Sequence, residues 1–284
     1  MFIYLIIALL FLICLLPIIF IKRFHTIHSI LIGNFCMIYV VYGFHWFITR
    51  IINVFHPQIL AQNPALCTLL AYTSFLVNCL SPYSLVIITI NRCFVTLYPL
   101  KRFFKRQIWA YISIITQWIF TLLSTTPYLV VCYQACYFYI FPHYWVVMYI
   151  LFMVIVIPLI FQIIFNLITF ITVRSSTRRI HDTTTITGMS ESNTSRQQYT
   201  RDMRLLKHIL FMFVVFIFGW APYYIIIALP DDIFARIPSW IIISLQIPPV
   251  ISSVIQAVDL FIYSREIRQY LKKQLYHCWQ LVCT

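Results

Sequence analysis

Glycine is almost missing from this chain, with 4 in 284 residues, and acidic residues number only 7. So little glycine excludes a collagen-like or glycine-linker chain, and the wealth of isoleucine, phenylalanine and tyrosine excludes a disordered one. Charged residues reach only 10%, whereas a soluble domain needs roughly a quarter to cover its surface. In water such a chain would expose large apolar patches, so lipid is the better solvent for it. The 9 cysteines show no repeated CxxC spacing, which argues against a zinc or iron–sulfur centre. The 8 histidines form no HExxH or His-Asp cluster, so no metal or cofactor is expected and an enzyme is disfavoured.

What the chain has instead is hydrophobic length. Apolar residues make up 62% and the mean hydropathy is +0.90. Seven runs approach the twenty residues that cross a bilayer: 1–21, 28–49, 67–92, 109–130, 144–170, 208–229 and 239–263. The first lacks a basic leader region and a small-residue cleavage site, so it reads as a helix with almost no extracellular tail before it. The expected architecture is an all-α membrane protein, a bundle of seven transmembrane helices over 1–263.

The net charge of +13 does not point to nucleic acid, because of where the charge sits. Lys22 and Arg23 follow the first run. Arg92, Lys101, Arg102, Lys105 and Arg106 follow the third. Arg174, Arg178, Arg179, Arg196, Arg201, Arg204 and Lys207 lie between the fifth and sixth, and Arg265, Arg268, Lys272 and Lys273 follow the seventh. Only Arg50 and Arg236 fall on the other side. Basic loops stay cytosolic, which sets the N-terminus outside and the C-terminus inside and turns the basic clusters to anionic lipid. The segment 171–207 is polar and rich in Ser and Thr; it is expected as a flexible third intracellular loop open to kinases. Residues 264–284 are expected as a cytosolic amphipathic helix and tail, with Cys278 or Cys283 as a lipidation site.

Within the runs a few residues break the apolar pattern. Arg92 ends the third run in Asn91-Arg92-Cys93, where an arginine is costly unless paired, snorkelling or functional. The sixth run carries Phe216-Ile217-Phe218-Gly219-Trp220-Ala221-Pro222. Its proline removes a backbone hydrogen bond and kinks the helix, and Phe216 and Trp220, four apart, share a face. Asp259 is the one acid well inside a run, in Asp259-Leu260-Phe261-Ile262-Tyr263.

These landmarks, in this order along nearly the whole chain, resemble those of the rhodopsin-like G-protein-coupled receptors, with the flavour of nematode serpentine chemoreceptors of the class V or class X type. The resemblance implies that Asn91-Arg92-Cys93 stands for the family's Asp-Arg-Tyr motif. It implies that Asp202 pairs with Arg92 to clamp helices three and six, and that Phe216, Trp220 and Pro222 form the switch of helix six. Asp259 to Tyr263 is similar to Asn/Asp-Pro-x-x-Tyr, with Leu260 in place of the proline and Pro248 and Pro249 as the alternative source of a kink. Cys67 is implied to bond a cysteine of the second outer loop, Cys132 or Cys136. Asn166 takes the place of a helix-five tyrosine, and the helix-two aspartate falls on Phe44, so a sodium site of the usual kind is not expected although Ser81 matches one of its members.

The outer halves of the runs offer Tyr72, Tyr223, Tyr224 and Trp240 with Ser74, Asn78 and Gln246. That lining suits a small neutral, aromatic or lipid-like ligand. Ser74 replaces the acid of amine receptors and Ser253 the lysine of opsins. The implied partners are a heterotrimeric G protein, a small-molecule ligand, membrane lipid, and a receptor kinase and arrestin, with no nucleic acid. The implied place is the plasma membrane, multi-pass, in a sensory cilium. The rival reading is a small-molecule transporter or channel, but it wants inverted repeats and charges at the midplane, and neither is evident. The topology has a direct consequence: the sequon Asn193-Thr194-Ser195 lies on the cytosolic side and stays unglycosylated. Glycosidase treatment of protein expressed in eukaryotic cells is expected to leave its gel mobility unchanged.

Overall fold

The structure, a computed structural model, describes residues 2–21, 25–98, 101–138, 144–187, 192–229, 233, 236–263, 268–270 and 272–273. Every long element among them is a helix. In chain order they are α1 (Phe2–Phe20), α2 (Ile27–Phe55), the short α3 (Pro57–Gln62), α4 (Pro64–Leu97), α5 (Gln107–Phe138), α6 (Tyr144–Leu151), α7 (Ile157–Thr187), α8 (Ser192–Ile227), α9 (Ser239–Ser244) and α10 (Ile247–Tyr263). Six helical stretches are long and apolar enough to cross a membrane, α6 and α7 forming one of them, and Ile247–Ile262 adds a shorter apolar helix. The outcome is a seven-helix membrane bundle.

Helix boundaries follow local chemistry. Thr26 caps α2 by accepting from the Ser29 amide at 3.3 Å. Asn63 caps α4 by accepting from the Leu66 amide at 3.2 Å, with Pro64 in the first turn. In that turn a missing N–H removes no intrahelical bond. Between α6 and α7 the backbone makes a π-helical turn, Phe152–Val156, just before Pro158. A wider turn there absorbs both the missing donor and the ring's clash with the preceding turn. Pro248 and Pro249 sit in the first turn of α10, so they start that helix and do not kink it. The seventh run is therefore broken, and Leu245 and Gln246 form a turn between α9 and α10.

The backbone of α7 continues to Thr187 and that of α8 begins at Ser192, so most of 171–207 is helical where a loop was expected. The side chains of 176–187 and 192–202 lie outside the described residues, and with them the Thr183–Thr187 run, the sequon and the carboxylate of Asp202. Cys278 and Cys283 also lie outside.

Packing centres on α4, the most buried of the long helices, which meets α2, α5, α7 and α8. Isoleucine, leucine and phenylalanine side chains face outward along every span, for example Ile6, Leu123, Ile163 and Phe218. The inward faces mix aromatics with Ser, Thr, Asn and Gln. Between helices in lipid there is little hydrophobic force, so close packing and internal hydrogen bonds hold the bundle together. On α5, Gln117 Nε2 donates to the Leu80 carbonyl of α4 at 3.2 Å, and its Oε1 accepts from Asn34 Nδ2 of α2 at 2.9 Å. Trp118 Nε1 donates to Asn34 Oδ1 at 3.1 Å, completing a tie among α2, α4 and α5.

A close backbone approach joins α1 to α2. A Cβ on Gly43 would lie 2.6 Å from the Tyr4 carbonyl and 2.9 Å from the Ala8 nitrogen. That small-residue contact lets α1 lay Tyr4, Ile7, Phe11 and Cys14 into the core. Gly43→Ala is therefore expected to cost about 1–3 kcal/mol, read as a lower melting temperature of detergent-purified protein. An unchanged melting temperature would show that α1 does not dock at Gly43.

Candidate functional site

The end of the bundle that the basic-loop pattern assigns to the outside gathers a cation and several aromatic rings. Tyr42, Trp46, Thr49 and Arg50 share one face of α2, three and four residues apart. Arg50 Nη2 donates to Gln246 Oε1, which the break between α9 and α10 presents, and its guanidinium stands 5.8 Å over the Trp46 ring. Trp46 stacks on Tyr4 at 6.2 Å, and Tyr42 meets Trp220 edge-on at 6.0 Å. Trp220 in turn touches Tyr223 at 6.4 Å and Tyr224 at 5.7 Å. Asn78 of α4 lies beside Tyr224.

The remaining outer candidates are spread more widely. Ser74 Oγ donates to the Leu70 carbonyl and lies 2.8 Å from His45 Nε2, binding α4 to α2. Tyr72 turns to α5, where its hydroxyl is 3.3 Å from Thr125 Oγ1. Trp240 is 68% exposed on α9, apart from the buried rings. Cys67 is disulfide-bonded to Cys136 in the last turn of α5, with Cα atoms 6.0 Å apart. Cys132, one turn earlier, remains a buried thiol, so the partner is Cys136 and not Cys132.

Below the outer group the rings continue as a column on α8. Trp220 and Phe216 are 6.1 Å apart, Phe216 and Phe213 6.4 Å, and all three are buried. Pro222 stands within the same helix. Beside the column a polar chain crosses four helices. Ser81 Oγ of α4 donates to the Tyr39 hydroxyl of α2 at 2.8 Å, Tyr39 donates to Gln256 Oε1 of α10 at 2.5 Å, and Gln256 Nε2 donates to the Met212 carbonyl of α8 at 3.2 Å. The residue of α2 that faces Ser81 is thus Tyr39. Phe44 is exposed on the outside of α2 and does not face Ser81.

At the inner end Asn91 is buried and Arg92 half-buried near the end of α4. The Asp202 carboxylate lies outside the described residues, as does the Tyr263 side chain, so the implied Arg92–Asp202 pair stays an expectation. Asp259 has a different partner from another helix: His208 Nε2 of α8 lies 2.8 Å from Asp259 Oδ2 of α10. A membrane acid has to be paired, and this contact fastens helix six to helix seven. Helices three and five are joined through Gln162 Oε1, which accepts from Thr89 Oγ1 at 2.7 Å and from Asn166 Nδ2 at 3.0 Å. Beyond Arg92, Phe94, Phe104 and Trp109 stack around the 3-10 turn Arg102–Lys105.

Sequence reasoning located the column of α8 because Phe216, Trp220 and Pro222 lie within one run. It missed Arg50, Tyr39, Gln256 and His208. A polar residue inside an apolar run was the available signal for each, but its partner lies up to 217 residues away. The Tyr39–Gln256 bond has a measurable value: a double-mutant cycle of Tyr39→Phe and Gln256→Leu is expected to give a coupling of about 0.6 kcal/mol, the average for such bonds in membranes. Strict additivity in thermal denaturation would mean the two side chains do not interact.

No curated protein matches this chain. A family profile described as 7 transmembrane receptor (rhodopsin family) matches residues 12–246. That stretch runs from within α1 to Gln246 just before α10 and covers the aromatic column, Arg92 and all of the outer group but Tyr4. Membership explains why a disulfide, a proline-bearing helix six and an inner arginine occur in one bundle, and it makes the protein a receptor and not an enzyme: the chain belongs to the rhodopsin family of seven-transmembrane receptors.

Proposed function

We propose that this receptor binds a small molecule in the outer half of its bundle and passes the signal to a heterotrimeric G protein at its inner face. The observation that carries the reading is the unbroken aromatic column from Tyr223 and Tyr224 through Trp220 to Phe216, on the helix that contains Pro222. A ligand lying on Trp220 pushes on a helix that already lacks one backbone hydrogen bond, and a small change at the bend becomes a larger swing at the inner end. The resting state is held by ties that the swing must break: His208–Asp259, Gln256 to the Met212 carbonyl, and the expected Asp202–Arg92 pair. The ligand biases these two states by its difference in affinity for them.

The basic loops support a topology with the N-terminus outside and the C-terminus, with Arg92 and the aromatic loop after it, in the cytosol. The use is chemosensory and the location a plasma membrane, in a sensory cilium, as the likeness to nematode serpentine chemoreceptors suggests. A receptor kinase and arrestin acting on 171–207, and anionic lipid against the basic clusters, complete the set of partners.

Basal guanine-nucleotide exchange on co-expressed G protein tests this without a ligand. At matched surface expression, Asp202→Asn is expected to raise exchange about two- to fivefold, as an ion pair of modest strength allows, and Arg92→Ala in the same background to abolish the rise. His208→Phe is expected to raise exchange independently. Empty-cell levels for every variant across several Gα types would sink the coupling proposal.

A further inference from the structure

Arg50 is one of two basic residues outside the inner clusters, and it does not project into open water. It is half-buried on the inward face of α2, beneath Gln246, over Trp46, and within electrostatic reach of Tyr223. An arginine placed among aromatic rings at the edge of a membrane is retained for a reason, and pairing is the usual one. Asp259 is the one acid whose side chain is among the described residues, and it lies about 20 Å further along the seventh span, engaged by His208.

The donors at this place outnumber the acceptors. A guanidinium carries five N–H groups in a planar fork matched to a carboxylate, and its hydrogen bond to Gln246 uses Nη2. Trp46 Nε1, a pure donor, is buried beside it with no hydrogen-bond partner among the described residues. Thr49 Oγ1, one turn from His45 on the same helix, is buried and likewise without a partner there. Next to this cluster of donors are the rings of Trp220 and Tyr223, 6.4 Å apart and joined to Trp46 through Tyr42. A neutral aromatic ligand would satisfy the rings and leave the fork and the indole N–H unanswered.

We propose that the outer site of this receptor recognises an organic acid, with its carboxylate on Arg50 beside the Trp46 N–H and its aromatic or alkyl body on Trp220 and Tyr223. This rests on the outer-pocket reading above and replaces the neutral ligand expected from sequence. The physical basis is a charge-assisted, two-point hydrogen bond in a site of low dielectric, which separates an acid from its amide of nearly identical shape.

The test uses the full chain purified in detergent and a matched panel: 3-phenylpropanoate, indole-3-acetate and decanoate, each beside its primary amide. The expected result is a melting-temperature shift by at least one acid and none by its amide, with Arg50→Gln weakening the acid about tenfold or more. Arg50→Lys keeps the charge without the fork and should fall between. Gln246→Leu removes the tie between α2 and α10 while leaving the charge, and should retain the acid's shift; if it copies Arg50→Gln, Arg50 is only a structural strut. Asp231→Asn with Asp232→Asn, which neutralises the two acids between the sixth and seventh apolar runs, should preserve or strengthen the shift, and loss of it there overturns the proposal. Amides acting as well as acids, or no acid acting at all, also overturns it. Basal exchange measured on the same variants without any probe reports on G-protein coupling alone, so failure of the receptor reading and failure of the acid site are told apart.

Discussion

A polar group that enters the hydrocarbon of a bilayer has no water to turn to, and each partner must be supplied by the protein itself. The interior of this bundle is arranged around that constraint. Gln117 serves α4 and α2 at once, Gln256 joins Tyr39 to the backbone of α8, and Gln162 gathers Thr89 and Asn166. Each glutamine links two helices through its amide. With so few charges in the chain, these neutral amides do the work that ion pairs do elsewhere, and each bond contributes modestly. A bundle held by many weak ties, and not by one strong lock, can rearrange between two states at low cost.

The prolines divide the helices into parts with different freedom. Pro158 is accommodated by a π turn and leaves its span continuous. Pro222 sits inside α8 and weakens it directly below the outer rings. Pro248 and Pro249 restart the seventh span, and the turn before them carries Gln246 to Arg50. One residue type thus supplies a continuous span, a weakened helix and a side-chain platform, according to whether its missing N–H falls inside a helix or in a first turn.

Some of the site was legible from residues alone. Phe216, Trp220 and Pro222 are near neighbours in sequence, so helical spacing is enough to put them on one helix and two of them on one face. Cys67 could be assigned to an outer disulfide, but Cys132 and Cys136 differ by one helical turn, and the choice between them depended on where α5 ends. Trp240 looked like a pocket residue because it is aromatic and outer; on the short α9 it is largely exposed. Phe44 and Tyr39 are little more than a turn apart, and only the contact with Ser81 shows which of the two faces inward.

What the sequence determined by itself was the solvent and the architecture. Hydropathy acts residue by residue and needs no partner, so seven apolar runs with basic loops specify a membrane bundle before any contact forms. What the tertiary structure decided was the pairing: Tyr39 with Gln256, His208 with Asp259, Arg50 with Gln246, Cys67 with Cys136. Hydrogen bonds, ion pairs and disulfides depend on the distance between two atoms, and between residues on different helices that distance exists only after the helices have packed.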